Sequence, residues 1–271
     1  MTEKTISTVY LHALTPVHAG TGQVSASVVD LPIAREKATN WPLLPATSLK
    51  GVLRDRTPKG DREALFGSQD QVGALQFGDA RLLCFPVRSW QGVFAYVSCP
   101  LALNRLVRDF AALNAPFPKV DTVPDPANES AMVAEGSVLA ESGNIWLEDL
   151  PLTETKDAAV QAIAEGIAAA VVPEAERAGF VKRFALVSDN VFDFLTENAT
   201  EITARIKLVP EKKTVDKEQG ALWYEEAVPA EAIFVAPVLG ELLPVASGTV
   251  VQIGGNETVG RGLCRMTVAT K

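Results

Sequence analysis

Apolar and polar positions alternate over residues 8–14 (T-V-Y-L-H-A-L), which predicts a strand, and Thr15-Pro16 with Gly20-Thr21-Gly22 then break it into a loop. A second break, Leu44-Pro45-Ala46, precedes Thr47-Ser48, hydroxyl residues suited to cap a helix that carries Leu49, Val52 and Leu53 on its apolar side. Lys50 and Arg54 are four apart and share one face of that helix. Residues 75–87 and 92–97 read as strands joined through 88–91 as a hairpin. Pro100 opens a helix in which Leu103, Leu106, Val107, Phe110 and Leu113 keep helical spacing.

Residues 116–130 are rich in proline and polar side chains, which predicts an extended surface segment, an insertion or lobe boundary rather than a domain linker. Beyond it the pattern predicts a strand pair (138–140 and 144–148) around Ser142-Gly143, an alanine-rich helix over 157–172 ended by Pro173, and a short helix over 174–184. Late strands follow at 202–209, 221–226, 232–237, 249–253 and 263–269. No repeat and no low-complexity tract interrupts the chain. The sum is a single α+β domain over 1–271, an antiparallel sheet with helices on one face.

Composition narrows the class. A 271-residue chain with 47% apolar content supports a sizeable core. No run approaches the ~18 consecutive apolar residues of a membrane span, and the N-terminus lacks a basic region followed by an apolar one, so the expected location is the cytoplasm, without a membrane partner. Cys84, Cys99 and Cys264 are too few and too scattered for a disulfide framework or a zinc site, and read as buried thiols. A net charge of −8 repels phosphate at long range. Between Arg35 and Arg62, however, seven basic residues face three acidic ones, a local +4 that marks a focused anion-binding face.

Five features could carry chemistry. The stretch 254–262 (G-G-N-E-T-V-G-R-G) is glycine-dense between two strands; it nearly spells a P-loop, but Arg261 stands where lysine is needed and Gly262 where a magnesium-binding hydroxyl should be. Gly254, Gly255 and Gly260 still permit backbone N–H groups to approach a phosphate, and Arg261 adds a charged fork, while a plain tight hairpin is the structural alternative. Ser48, Lys50 and Arg54 at a helix start form a second phosphate-type site, against the alternative of a solvated helix face. Asp30, between Val28-Val29 and Leu31-Pro32, is a turn residue, a ligand for magnesium shared with substrate phosphate, or a group that orients a ribose 2′-hydroxyl. His18 is the one loop histidine available as a general acid or base. Finally, Lys207, Lys212, Lys213 and Lys217 lead into Trp223-Tyr224 and the acid pair Glu225-Glu226. Bases with adjoining aromatics suit a finger that tracks a single strand and stacks on a nucleobase.

Taken together, T-P-V-H-A-G-T-G (15–22), V-V-D-L-P-I-A-R-E (28–36), L-P-A-T-S-L-K-G (44–51), A-L-W-Y-E-E-A-V-P (221–229) and G-G-N-E-T-V-G-R-G (254–262) resemble the RAMP superfamily of CRISPR proteins, and most closely the backbone subunits of type III-B Cmr complexes. The resemblance implies a ferredoxin-like (RRM-like) palm, an inserted helical or irregular lobe near 114–200 and a projecting thumb hairpin near 205–228. It further implies a subunit that stacks head to tail with copies of itself along a guide RNA, beside other Cmr-type subunits, and cuts single-stranded target RNA at regular intervals. On this likeness Asp30 matches the catalytic aspartate, with a divalent ion (magnesium or manganese) held transiently between it and RNA phosphate. His18, Glu225 and Glu226 match residues implicated in cleavage, Lys50 and the glycine loop match guide-backbone contacts, and Lys212 and Lys213 fall at the thumb tip. A guide read by its backbone needs only a local basic track, which reconciles RNA binding with an acidic chain. The rivals are a scaffold of the same fold that does not cut, a precursor-guide processing RAMP nuclease, and a P-loop ATPase.

Overall fold

The structure, a computed structural model, describes residues 5–22, 29–206, 208–209, 214–215, 222–240 and 243–270. In chain order the strands are β1 (Ile6–Ala13), β2 (Leu43–Leu44), β3 (Gln76–Phe77), β4 (Ala80–Arg88), β5 (Phe94–Ser98), β6 (Ser130–Val133), β7 (Ala140–Glu141), β8 (Asn144–Leu147), β9 (Leu150–Lys156), β10 (Phe184–Val187), β11 (Glu201–Ile206), β12 (Leu208–Val209), β13 (Thr214–Val215), β14 (Leu222–Ala227), β15 (Ile233–Leu239), β16 (Thr249–Gln252) and β17 (Leu263–Thr270). The helices are α1 (Ala46–Arg56), α2 (Arg62–Phe66), α3 (Pro100–Ala112), α4 (Ala158–Val171), α5 (Glu174–Arg183) and α6 (Asp189–Asn198).

Among the described residues, thirteen strands form one sheet in the order β16-β17-β1-β15-β4-β5-β10-β6-β9-β8-β7, with β2 beside β4 and β3 beside β15. Pairing is antiparallel except at β5–β10 and β6–β9. The stretch 114–200 therefore supplies helices α4–α6 and also the strands that continue the sheet past β5. The segment 116–130 is irregular as expected up to β6, but Phe117, Val120 and Val123 pack against the core.

The expected one-sided helix layer is replaced by two. On β1, Val9 and Leu11 face a core built with Leu49 and Leu53 of α1 and Phe192 and Leu195 of α6. Tyr10, between them, faces a second core with Leu103 and Phe110 of α3, Ile163 and Ile167 of α4 and Phe180 of α5. Alternate strand residues point to opposite faces, so a strand covered on both sides is buried along its length, here with Ser7, Thr8 and His12 among the buried residues. That is why seven of the eight residues of β1 are buried. The three cysteines are buried and free, and burial pushes their thiols well above the usual range. No helix among the described residues is long and apolar enough to cross a membrane.

Strands β11 and β14 leave this sheet as a separate antiparallel ribbon, continued by the short β12–β13 pair. Its strands overlap the segment near 205–228 read as a thumb hairpin, and Lys207, Lys212, Lys213 and Lys217 lie outside the described residues. The ribbon has two unlike faces. Ile202, Ile206, Leu222 and Tyr224 are exposed on one, whereas Glu201, Thr203, Arg205 and Glu225 line the other.

Candidate active site

The site forms where two loops dock on the free edge of β14. In a strand the N–H and C=O of one residue point to the same edge, and those of the next residue to the opposite edge. Thr203 and Arg205 of β11 lie opposite Glu225 and Trp223, which leaves the polar groups of Tyr224 and Glu226 on the far edge. Asp30 Oδ2 accepts the Tyr224 N–H at 2.7 Å. Leu31 follows, donating its N–H to Tyr224 O and accepting from Glu226 N–H, both at 3.0 Å. The next group along this edge, Glu226 O, is 2.6 Å from His18 Nδ1. Val17 completes the edge by exchanging two hydrogen bonds with Val228, at 2.8 and 2.9 Å. Asp30 and His18 are thus anchored about two residues, roughly 7 Å, apart along one strand.

A carbonyl oxygen only accepts, so His18 Nδ1 carries the proton and Nε2 is the basic nitrogen of the neutral ring. The ring fits because its surroundings are glycine. A Cβ on Gly20 would lie 2.6 Å from Nε2, and one on Gly255 would lie 3.5 Å from Cδ2. Gly254, at φ +86°, presses against the His18 carbonyl, which Gly255 N–H bonds at 2.9 Å. The glycine loop expected to meet phosphate is also the shelf on which the histidine rests.

Both glutamates of the acid pair are buried, and on opposite faces of the ribbon. Glu225, 3% exposed, lies 3.4 Å from Arg205 Nη2 and 3.4 Å from Arg261 Nε. Arg261 also bonds Thr203 Oγ1 at 3.0 Å and lies 3.7 Å from Glu201, whose carboxyl burial pushes up while Arg261 pulls it back. The expectation that Arg261 offers a fork to phosphate is corrected here: the residue is 9% exposed and its guanidinium is turned inward, where buried Glu225 requires a counter-charge. Glu226, 6% exposed, receives the Ile33 N–H at 3.1 Å, Arg35 Nη2 at 2.6 Å and Thr200 Oγ1 at 2.9 Å. Both carboxylates are buried, whereas Asp30 is only partly so. Trp223 and Tyr224, expected as one stacking pair, point to opposite faces; Tyr224 is 40% exposed beside Asp30.

The helix-start site also differs from expectation. Pro45, rather than a hydroxyl residue, occupies the N-cap of α1; no side-chain cap bond is made there, and Ser48 sits within the first turn. Asp79 Oδ1 accepts the Ala46 N–H at 2.8 Å, so a carboxylate already occupies part of the expected anion position. Arg54 donates to Gly67 O at 2.9 Å. Lys50 is the residue of this trio that lines an open groove, of about 560 Å³, with Thr47, Phe66 and Ser68.

Sequence reasoning did not find Arg205, Thr200 or the pairing of Arg35 with Glu226. Arg35 was visible as part of the basic cluster, but its partner lies 191 residues away and no local spacing signals it. The described residues contain no cluster of three or more His, Cys, Asp or Glu able to hold a metal.

Comparison with known proteins identifies the family. The model of the RAMP superfamily matches residues 10–265. The chain is 37% identical to the CRISPR system Cmr endoribonuclease Cmr4 of Pyrococcus furiosus, over 95% of this chain and 94% of that one. Among solved structures it is similar to oligomeric Cmr4 from Pyrococcus furiosus (28% identity, TM-score 0.76, 98% of each chain). It also shares its fold with a chain of the type III-B Cmr-beta complex bound to cognate target RNA (20% identity, TM-score 0.76, 97% of this chain and 96% of that one). By the span of the family match and the identity to its relative, this chain belongs to the RAMP superfamily and, within it, to the Cmr4 family.

Proposed function

We propose that the chain is the guide-RNA-binding backbone subunit of a type III-B CRISPR complex, stacking with copies of itself and other Cmr subunits, and an endoribonuclease that cuts the bound target RNA. The named activity of the 37%-identical relative and the oligomeric state of the solved one support this reading. Such a complex works in the cytoplasm. The observation that carries the site assignment is the tethering of the Asp30 carboxylate to the Tyr224 amide at the root of the ribbon, beside an exposed aromatic ring.

In this reading Asp30 accepts the proton of a ribose 2′-hydroxyl as its oxygen attacks the adjacent phosphorus. The P–O5′ bond breaks, and the departing oxygen takes up a proton to leave as a 5′-hydroxyl. The hydrogen bond from Tyr224 fixes one carboxylate oxygen and so limits the orientations of the other. His18 and Glu226 hold the edge against which Asp30 is set. The residues fit a divalent ion only as a shared one: Asp30 supplies a single carboxylate, Glu225 and Glu226 are taken by arginines, and magnesium is commonly held by one or two carboxylates with substrate phosphates and water. When bound there, the ion would neutralise charge developing on the phosphate.

The test is cleavage by the assembled complex with guide and target. Asp30→Ala lowers the single-turnover rate by about 10²–10⁴-fold, the usual contribution of a positioned acid or base, with target RNA still bound. Undiminished cutting by that variant would leave Asp30 without the assigned role and favour a scaffold whose chemistry lies elsewhere.

A further inference from the structure

We propose that Arg35 is a positioning residue for target cleavage: through Glu226 it sets the strap that carries Asp30, without touching RNA itself. The inference rests on the nuclease reading above and deepens it.

The strap comprises residues 29–36. At one end Asp30 and Leu31 are bonded to the edge of β14, as described. In the middle, Ile33 pairs with Gly20 as an isolated bridge, and its N–H is held by Glu226 Oε2. At the other end Arg35 gathers three elements. Its Nη1 donates to Asn40 O at 2.8 Å and to Thr196 O of α6 at 3.2 Å, and its Nη2 reaches Glu226 Oε1 at 2.6 Å.

Glu226 therefore touches Leu31 through its N–H, Ile33 and Arg35 through its carboxylate, and His18 through its carbonyl. Every loop group that the mechanism uses is bonded either to this residue or to Tyr224, two positions before it. The direction of the Glu226 side chain depends on Arg35, because a carboxylate this deeply buried does not remain without a cation. With Arg35 removed, Thr200 Oγ1 is the one side-chain partner left to Glu226 among the bonds described, and the unpaired charge favours turning to solvent or drawing water inward. Either response loosens the bond from Oε2 to the Ile33 amide, three residues from Asp30. Pro32, the residue between Leu31 and Ile33, has no N–H with which to make a substitute bond.

Arg35 is suited to this task by its planar fork, which reaches three acceptors at once; a lysine in its place provides one flexible ammonium. The energetic role and the positioning role are separable because only the second changes the rate of the bound complex.

The experiment compares Arg35→Lys, Arg35→Ala and Asp30→Ala in complexes assembled with guide, measuring target affinity and single-turnover cleavage at saturating target, with thermal melting as the check on folding. A displacement of about 1 Å costs on the order of 10²-fold, so Arg35→Ala is expected to cut about 10- to 100-fold more slowly and Arg35→Lys several-fold more slowly, both with target affinity near wild type. Added guanidinium should restore part of the rate in Arg35→Ala and none in Asp30→Ala. Wild-type cutting by a folded Arg35→Ala complex would overturn the proposal. So would a loss of cutting matched by an equal loss of target binding, which marks a purely structural residue. If Arg35→Ala fails to assemble, Arg35→Lys decides by the same two measurements. A fully active Asp30→Ala complex would instead overturn the nuclease reading, whatever the Arg35 variants do.

Discussion

The packing of the glycine loop on the His18 loop can be measured with one methyl group. Gly254 and Gly260 both adopt left-handed backbone, with φ of +86° and +80°. Alanine at either position carries a similar conformational penalty, about 1–3 kcal/mol for a non-glycine residue in a sparsely populated region. Their surroundings differ. A Cβ on Gly254 would lie 2.3 Å from His18 O, 2.8 Å from its carbonyl carbon and 3.2 Å from Ala19 N, whereas one on Gly260 meets nothing within 4 Å. The clash at Gly254 is with backbone, which no rotamer change relieves, and overpacking of this kind adds about 1–3 kcal/mol. Gly254→Ala should therefore be less stable than Gly260→Ala by about 2 kcal/mol, or about 3–4 °C in Tm for a chain of this size. Denaturant and thermal unfolding of the two variants, side by side with wild type, make the comparison while cancelling the shared strain. Equal midpoints would refute the described contact, and with it the view that the glycine loop supports the histidine. The same variant should cut target more slowly, since it must open the Gly255–His18 bond at 2.9 Å.

Two further outcomes follow from the charge arrangement. Arg261→Met leaves Glu225 buried with Arg205 alone, so a loss of stability toward the lower end of the usual ~3–5 kcal/mol for a broken buried pair is expected, checked by urea unfolding. The bidentate hydrogen bonds from Arg105 hold the Glu36 carboxyl below its ordinary range, and those from Arg108 and then Arg81 do the same for Asp109. A carboxylate depressed in the folded state stabilises it fully above the unfolded-state pKa of about 4, and that stability is lost as pH falls through the folded value. Melting temperature should thus drop on acidification below about pH 4, and Arg105→Gln should flatten the part of that slope due to Glu36.

What the sequence disclosed depended on whether each element carries polar residues or breaks that mark its period and its ends. Residues 8–14 and the helix from Pro100 were found nearly at their true limits, because Val9, Leu11 and Leu103, Leu106, Phe110 keep a period with polar or capping punctuation at the ends. Strand β10 was missed: Phe184, Ala185, Leu186 and Val187 are buried on both faces, so the segment has no alternation; the pattern assigns its first residue to the end of the helix over 174–184 and leaves the rest unassigned. Strand β9 begins Leu-Pro-Leu, which resembles a turn, and β6 emerges directly from the proline-rich stretch. Helix α6 left a usable signal, Ser188 capping the Val191 N–H ahead of Val191, Phe192 and Leu195. At the site, Asp30 and His18 were legible as chemistry and through the family motifs. The docking of both on β14 was not, because it joins residues 194 and 208 positions apart.

The acid pair shows why residue type alone assigns roles poorly in this chain. Adjacent glutamates on a strand point to opposite faces, so Glu225 and Glu226 could never act together on one phosphate. Each is matched instead by guanidinium groups from separate parts of the chain, Arg205 and Arg261 on one face and Arg35 on the other. Carboxylates held by close cations and buried from water are poor partners for a polyanionic strand and good anchors for loops. The face with Glu225 ties the glycine loop to β11; the face with Glu226 ties the Asp30 strap to α6. The ribbon therefore leaves its root clamped from both sides, and Asp30 lies on the edge between the two clamps. A variant that frees one clamp while keeping the other should alter cutting without releasing RNA, and a charge-preserving exchange such as Glu225→Asp, which withdraws the carboxylate by one methylene from both arginines, is expected to slow single-turnover cleavage several-fold at unchanged target affinity. Equal loss of both quantities would mean that the clamp holds the RNA path itself rather than the geometry of Asp30.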